Sequence, residues 1–525
     1  MFLIDKLKGV FRRMIAPKVI ADTIKMAPLI SSEMKEHLEL WENLYKDQAP
    51  WLNENVKSLG IPALIASEKA RTATLEMQVK ITGDSARAEF MRKNFQKVID
   101  AIQEPLEYGI ALGSFIIKPY VMLGPDNKYV MEFNFTRATN FYPLSFSSEG
   151  KLTECAFVDV IITKEYIYRK VEIHKLEGSK LTIRNQAYKQ TNNGNVVPSN
   201  NETLGDPIEL NTVPAWASLA PEAEIQNVDD LLFGYFKMPE ANNVDLDSPL
   251  GVSGFSRAVD LIKEADNIYS DLLWEFEGGQ LAIDVDRTAL LPTNEGGKST
   301  DVLPKLQDRL YRRKLDLGTD ELYHIFSPAL RDSSILNGLN NQLMRIEDTC
   351  ALSRGTLSVV TQSEARTATE LKILKQRSYA ANQHIQDALQ LTFEQVFHAM
   401  DIYCDLYKIV PAGNYEVAYK WDDSIIVDKD AERQQDMLEV KSGLMSKVEY
   451  RMKWYGETKD QAEEALKSIQ DEQKAALALV QSQVNNGVTD SSTGQTTYAE
   501  ASQNRLNRAN DSDETTKIGD SADNT

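Results

Sequence analysis

The stretch from Ser333 to Cys404 most constrains how this chain can fold, because its pattern predicts two helices joined by a short polar loop. The first helix is predicted to end near Gly355, since glycine is common just past a helix C-terminus. Its apolar face consists of residues at helical spacing, namely Leu336, Leu339, Leu343, Ile346 and Cys350. The second helix begins at a capping box, Thr367–Glu370, and has no glycine or proline up to about Tyr403. At about 1.5 Å per residue this is a rod of roughly 55 Å, which few compact domains need.

The composition is that of a globular protein with several domains. The 525 residues are 42% hydrophobic and 26% charged, and this length predicts two to four domains. The net charge of −20 argues against a protein that coats nucleic acid, which is usually basic. Cys155, Cys350 and Cys404 lie far apart, which suits a reducing compartment and argues against a zinc site. No apolar run approaches the roughly 20 residues that span a bilayer.

The first 250 residues predict a mixed α+β domain. Helical periodicity predicts helices over 30–47, 62–79 and 86–110. The period then changes to that of strands, predicted at 114–122, 128–134, 151–163, 166–176 and 179–187, with a surface loop over 189–206. Before this domain, residues 1–18 mix basic and apolar side chains. We interpret them as a basic arm that docks on a partner, with a membrane-surface helix as the alternative.

A second long helix and a small insertion follow Pro249–Gly254. The helix covers about 258–276 and ends at Gly278 and Gly279. Residues 280–331 then predict a strand at Leu281–Val285, a Gly-rich loop, a basic helical piece and another strand. The insertion therefore lies between this helix and the one that begins near Ser333.

The remainder of the chain predicts a small helical region. A strand is predicted over 415–427, followed by three short helices. Two of these helices carry capping boxes, at Ser446–Glu449 and Thr458–Gln461. From Asn485 onward small polar residues dominate, and too few apolar groups are left to offset the entropy of ordering, so we expect disorder.

Three motifs carry a resemblance to a known family. They are Glu-Asp-Thr-Cys-Ala-Leu-Ser-Arg-Gly-Thr at 347–356, Thr-Ala-Thr-Glu-Leu-Lys at 367–372, and Gln-Asp-Ala-Leu at 386–389. Together they resemble the core signature of phage portal proteins, most nearly those of long-tailed phages of Gram-positive hosts. The resemblance covers roughly Val19 to Lys474.

The resemblance implies an α+β, multi-domain ring subunit. Its parts would be a mixed α/β wing (1–250), a first stem helix (251–279), a small α+β clip (280–332), a second stem helix (333–355), a tunnel loop (356–366), a long wing helix and strand (367–427) and an α-helical crown (428–484). The tail (485–525), which the composition predicts to be disordered, lies outside the resemblance.

The resemblance also implies a function. Such a protein forms a dodecameric ring at the unique capsid vertex of the virion, after assembly in the host cytoplasm. The ring is the channel through which double-stranded DNA is packaged and ejected, without sequence specificity. Its other partners would be the terminase, the major capsid and scaffolding proteins, and the head–tail adaptor. No membrane, cofactor, metal or enzymatic activity is expected. The acidic chain suits a channel that repels phosphates.

Two sets of residues are candidates for contact with DNA or partners. In the resemblance the tunnel-loop set would project into the channel, and we expect it to change conformation easily because few large apolar groups hold it; it comprises Arg354, Thr356, Leu357, Ser358, Val359, Val360, Thr361, Gln362, Ser363 and Arg366. The clip set is basic and comprises Arg309, Tyr311, Arg312, Arg313 and Lys314. The alternatives are a favourable charge at a helix C-terminus for Arg354, and a solvated face or inter-subunit ion pairs for the clip set.

Two rival classes are weaker. A packaging ATPase needs a phosphate-binding loop, and Gly297-Lys298-Ser299 resembles the end of one. However, Pro292 and Thr293 occupy the region where that motif requires its first glycine, and Pro304 interrupts the helix that should follow. A scaffold or tail protein built from long helices is the other rival, and the order helix, insertion, helix, loop, long helix argues against it.

Overall fold

The structure is a computed structural model that describes most of the chain. The described residues are 15, 17–75, 77–124, 126, 128–192, 203–246, 248–286, 292–295, 298–301, 311–314, 323–359, 368–421 and 429–486. The chain divides into two compact units, Met1–Ile426 and Val427–Thr525.

The first unit is α+β, as the sequence predicts. Its helices are α1 Pro17–Ile24, α2 Ser32–Tyr45, α3 Ile61–Thr74, α4 Ala86–Ala101, α5 Gln103–Leu112, α6 Val259–Gly278, α7 Asp332–Thr349 and α8 Ala368–Leu406. Its strands are β1 Met77–Thr82, β2 Ser114–Leu123, β3 Tyr129–Arg137, β4 Phe141–Phe146, β5 Leu152–Ile162, β6 Tyr166–Glu177, β7 Lys180–Thr191, β8 Asp206–Ile208, β9 Glu222–Gln226, β10 Gly234–Lys237, β11 Ala282–Asp286, β12 Pro292–Glu295, β13 Lys298–Asp301, β14 Tyr311–Lys314, β15 Tyr323–Phe326 and β16 Glu416–Trp421.

The strands form five small sheets in the described residues. The largest has the order β4-β5-β6-β7-β8, with β9 also paired to β7, and the others are β10-β2-β3, β14-β11-β15, β12-β13 and β1-β16. Pairing is antiparallel throughout except for β11 with β14. The predicted strands at 114–122, 128–134, 151–163, 166–176 and 179–187 are therefore confirmed as β2, β3, β5, β6 and β7.

The long helix α8 organises the core of this unit. It has 39 residues, which corresponds to about 58 Å at 1.5 Å per residue and confirms the predicted rod. Ile385, Leu389 and Phe393 lie at helical spacing on one face of α8 and are buried. Phe95 of α4 packs on it, with its ring 5.1 Å from that of Phe393.

Two predicted helices are wrong in their extent. The helix predicted over 62–79 ends at Thr74, because the following residues form β1, which pairs with β16 from the far end of the unit. The helix predicted over 86–110 is two helices, α4 and α5, that meet at Ile102. Pro105 has no N–H to donate to the preceding turn, which accounts for the break. Strands β4, β8, β9 and β10 were not predicted.

Helices α6 and α7 form an antiparallel pair whose ends are tied together. Arg331, just before α7, donates from Nη2 to Oε2 of Glu275 near the end of α6, at 2.6 Å. Toward the opposite ends, Nε2 of Gln342 donates to the carbonyl O of Leu261 at 3.1 Å. Both helices are confirmed, and the segment between them begins with the predicted strand as β11.

The prediction of a basic helical piece in that segment is wrong for the residues that the structure describes. Tyr311–Lys314 forms the strand β14, which pairs in parallel with β11. Local composition favours a helix there, but pairing with a strand distant in sequence overrides it.

The second unit is helical in its described residues, with α9 Lys429–Ser442, α10 Lys447–Tyr455 and α11 Lys459–Asn486. Both predicted capping boxes are confirmed. At the start of α10, Ser446 and Glu449 exchange hydrogen bonds with each other's backbone N–H at 3.0 and 2.9 Å. Thr458 and Gln461 do the same before α11, at 3.1 and 3.4 Å. The third helix is long rather than short, with 28 residues. The basic arm predicted at 1–18 falls largely outside the described residues, as does the predicted tail beyond Asn486.

Candidate functional site

Helix α7 ends six residues before the predicted position. Its last residue is Thr349, and Ala351 adopts a left-handed conformation with φ of 54°. The N–H of Leu352 then donates to the carbonyl O of Glu347 at 2.8 Å, and that of Ala351 to Asp348 at 3.4 Å. These two bonds form a Schellman cap with alanine in the place where glycine is usual. The chain therefore turns before Gly355.

A buried carboxylate holds the residues that follow this turn. The Glu347 side chain is 0% exposed. Its Oε1 accepts hydrogen bonds from the backbone N–H groups of Gly355 (3.1 Å), Leu357 (2.6 Å) and Ser358 (2.8 Å). Its Oε2 accepts from the Ser358 hydroxyl at 2.8 Å. A buried charge is tolerated only when such partners surround it, so this carboxylate and the turn must form together.

A second side chain of α7 holds the next residue. Asn340 donates from Nδ2 to the carbonyl O of Val359 at 3.0 Å and accepts from the Val359 N–H at 2.7 Å. Val359 nevertheless keeps 73% of its surface exposed. The start of the predicted tunnel loop, Thr356 to Val359, is thus fastened to α7 by hydrogen bonds. This differs from the prediction that the loop changes conformation at little cost in free energy.

The rest of the predicted loop set is only partly placed. Arg354 is not a free cation, because its Nε donates to Oδ1 of Asp348 at 3.1 Å and its Nη2 pairs with Oδ2. Arg377 of α8 lies 3.6 Å from the same carboxylate. Val360, Thr361, Gln362, Ser363 and Arg366 lie outside the described residues, so their role stays a prediction.

Three residues of α7 that hold the loop were not predicted from the sequence, namely Glu347, Asn340 and Asp348. A signal for Glu347 was present, because a carboxylate lies among the apolar positions Leu343, Ile346 and Cys350 of the same helix. A charge at such a position requires a buried partner set. The residues that supply the partners could not be read from the pattern.

The basic clip set is placed as backbone only. In the parallel pairing of β14 with β11, Arg312 lies opposite Asp284, Arg313 opposite Val285 and Lys314 opposite Asp286. Tyr311 lies opposite Ile283. Arg309 lies outside the described residues. The contact of this set with DNA or a partner stays a prediction.

The phosphate-loop resemblance lies in a β-hairpin. Pro292–Glu295 pairs antiparallel with Lys298–Asp301, so Lys298 begins a strand. A phosphate-binding loop instead precedes a helix, whose N-terminal N–H groups hold the phosphate. The geometry around Lys298 therefore argues against nucleotide binding.

We expect Lys298→Ala to leave ATP hydrolysis by the purified protein at the background rate. The reason is that Lys298 begins the strand β13, which pairs with β12, whereas a phosphate-binding lysine lies at the N-terminus of a helix. The measurement is phosphate release, with Lys305→Ala as the matched control. ATP turnover that depends on Lys298 and not on Lys305 would contradict the structural interpretation.

Metal and thiol chemistry find no support in the described part of the chain. No three His, Cys, Asp or Glu side chains there are arranged to hold a metal ion. The three cysteines are free and buried. Burial raises the pKa of the Cys350 and Cys404 thiols to about 12, which keeps them protonated and unreactive.

The comparison with known families decides the class of protein. A family model described as phage portal protein, SPP1 Gp6-like, matches residues 53–477, which is most of the chain. The chain belongs to this phage portal family. The family is structural rather than enzymatic, and it implies a component of the virion capsid that assembles as a ring. No curated protein matches the chain. Along the described ranges, none of the helices is both long and apolar enough to cross a membrane.

The family match confirms the predicted resemblance at the level of the family. The matched residues include α6, the inserted strands, α7, the fastened turn and α8. The narrower resemblance to portals of long-tailed phages of Gram-positive hosts stays a prediction.

Proposed function

We propose that this portal protein forms a closed ring of about twelve subunits at one capsid vertex, and that double-stranded DNA passes through the ring during packaging and ejection. The observation that carries the proposal is the order of elements within the family match. A helix pair, α6 and α7, brackets a strand-rich insertion, and a fastened turn then leads to the long helix α8. The insertion is the part that meets the terminase and later the head–tail adaptor.

Uncovered apolar side chains on α6 support assembly between subunits. Leu273 is 40% exposed, Trp274 67% and Phe276 45%. On α7, Leu336 is 45% exposed. Large apolar groups that cluster on the surface of a single chain usually mark an interface, because burying them is favourable by about 25 cal/mol per Å². The α6–α7 pair supplies such a face for the neighbouring subunit.

We expect Trp274→Glu to prevent closure of the ring. Buried tryptophans often dominate an interface, and losing one costs about 2 kcal/mol or more, roughly thirtyfold in affinity per contact. The measurement is native mass spectrometry at micromolar chain concentration, where the wild type should give a closed ring and the variant smaller species.

The matched control is Leu246→Glu, since Leu246 is 87% exposed but belongs to neither α6 nor α7. It should leave the ring intact. A ring of normal size from Trp274→Glu would show that α6 does not form the subunit contact.

The charge of the chain suits passage of DNA. Twelve chains, each of net charge −20, present mostly like charge to the phosphates, so the duplex meets no deep electrostatic well. Contacts from loop hydroxyls, amides and the side chain of Arg366 would guide the DNA backbone without reading its sequence. The hydrolysis that drives packaging belongs to the terminase.

A packaging assay tests this function. Removing Val360–Gln362 spares the fastened residues before them and should permit ring assembly while lowering the amount of DNA packaged or retained. Normal packaging and retention by this variant would refute the role of the loop.

A further inference from the structure

The loop makes more hydrogen bonds to α7 than are needed to cap the end of that helix. The Schellman cap at Ala351 already satisfies the last carbonyls of the helix. Glu347 adds four further hydrogen bonds, and they all go to the segment Gly355–Ser358 rather than to the helix. The carboxylate is thus used to position the residues after the turn.

These hydrogen bonds hold the Glu347 carboxylate in one position. Both oxygens of Glu347 are engaged, and the side chain has no exposed surface. Moving Leu357 or Ser358 away would take one or two of these four hydrogen bonds from a buried carboxylate, and each lost bond to a charged group costs about 1.5–3 kcal/mol. Ser358 is itself only 6% exposed, so water could not easily take over its bonds.

Two flanking contacts define where the fastened part ends. Asp348 holds Arg354 on the exposed side of the turn, and Asn340 holds both backbone groups of Val359. Side chains of one helix, α7, therefore fix the chain from Arg354 to Val359.

We propose that Glu347 is a positioning residue of the portal loop: together with Asn340, which holds Val359, it fixes the first part of the loop, Gly355 to Val359, against α7 while DNA passes. This inference rests on the proposed function, because it assigns the loop a role against DNA. Glu347 itself does not touch DNA.

The first test is hydrogen exchange of the assembled protein. In the wild type, the amides of Leu357 and Ser358 should exchange at least about tenfold more slowly than in an unstructured peptide, because they are hydrogen-bonded and buried. Glu347→Ala should remove this protection. Glu347→Gln should retain part of it, since its amide oxygen can still accept from the backbone N–H groups.

The controls separate positioning from a general loss of folding. Ser358→Ala removes the bond to Oε2 and a longer one that the Gly355 N–H donates to the Ser358 hydroxyl, keeps the backbone bonds to Oε1, and serves if Glu347→Ala does not fold. Glu264→Gln removes one exposed carboxylate from the neighbouring helix α6 and should leave exchange at 355–359 unchanged. Exchange of Leu357 and Ser358 at the unstructured rate in the wild type would overturn the proposal.

The second test is the effect on DNA. Glu347→Ala or Ser358→Ala should assemble rings of normal size yet retain at least about tenfold fewer full-length genomes, with Glu347→Gln in between, because the loop then has no fixed origin. Normal retention by variants that have lost the protection would overturn the positioning role. The removal of Val360–Gln362 tests the loop function itself, so a failure there is distinguishable from a failure of Glu347.

Discussion

Replacing Arg87 with methionine is expected to lower the free energy of unfolding of the first unit by about 2 kcal/mol, because the change removes the charged hydrogen bonds of a buried guanidinium. The Arg87 side chain is 3% exposed and joins α4 to α8. Its Nη1 donates to Oδ1 of Asp401 at 2.8 Å, and its Nη2 to Oδ1 of Asp405 at 2.5 Å. Nη2 also donates to the carbonyl O of Val410 at 3.1 Å. Methionine fills similar space but leaves these acceptors without their donor.

Arg71→Met is the matched control for this prediction. Arg71 is 47% exposed and pairs with Glu68 on the surface of α3, and such pairs contribute at most about 1 kcal/mol. Denaturant unfolding followed by tryptophan fluorescence, at one chain concentration for all variants, gives the two values. Equal effects of the two substitutions would contradict the buried role of Arg87.

Gly251→Ala is expected to destabilise the first unit by more than about 3 kcal/mol, because the added methyl group has no room. A Cβ at Gly251 would overlap the carbonyl group of Gly113, which ends α5 with φ of +87°. The obstacle is backbone, which cannot move aside as a flexible side chain could. Two hydrogen bonds hold this contact, from the N–H of Gly254 to Ile110 O at 2.8 Å and from the N–H of Met238 to Gly113 O at 2.9 Å.

The same substitution at Gly338 provides the control. Gly338 lies within α7, and a Cβ there would meet nothing within 4 Å. Alanine is the better helix former by about 1 kcal/mol, so Gly338→Ala should leave stability unchanged or raise it. Thermal unfolding of the two variants under identical conditions measures the difference. A Gly251→Ala protein as stable as the wild type would show that the chain does not approach Gly113 so closely.

Elements set by local patterns were predictable from the sequence. Helices α2, α6 and α8 follow from apolar periodicity, and Ser31 caps α2 through a 3.0 Å bond from the Met34 N–H. The capping boxes at Ser446 and Thr458 were equally visible. In each case the side chains that determine the helix or its cap lie within one or two helical turns of each other.

Elements set by distant partners were not predictable. Val79 lies opposite Tyr419 in the β1–β16 pair, and a local sequence pattern does not predict a pairing partner 340 residues away. The parallel pairing that makes Tyr311–Lys314 a strand is of the same kind. For the site, the sequence indicated where the loop lies, but the capture of Ser358 by Glu347 depends on a tight turn whose left-handed residue is alanine rather than glycine.

We propose that the α6–α7 pair packs into a closed ring around a channel for DNA. Electron microscopy of the purified full-length chain tests it most directly. Annular particles of about twelve subunits are predicted, with Trp274 covered by the neighbouring subunit and Val359 facing the axial opening. A stable monomer at micromolar concentration, or a ring in which Trp274 stays in solvent and Val359 faces outward, would contradict the account.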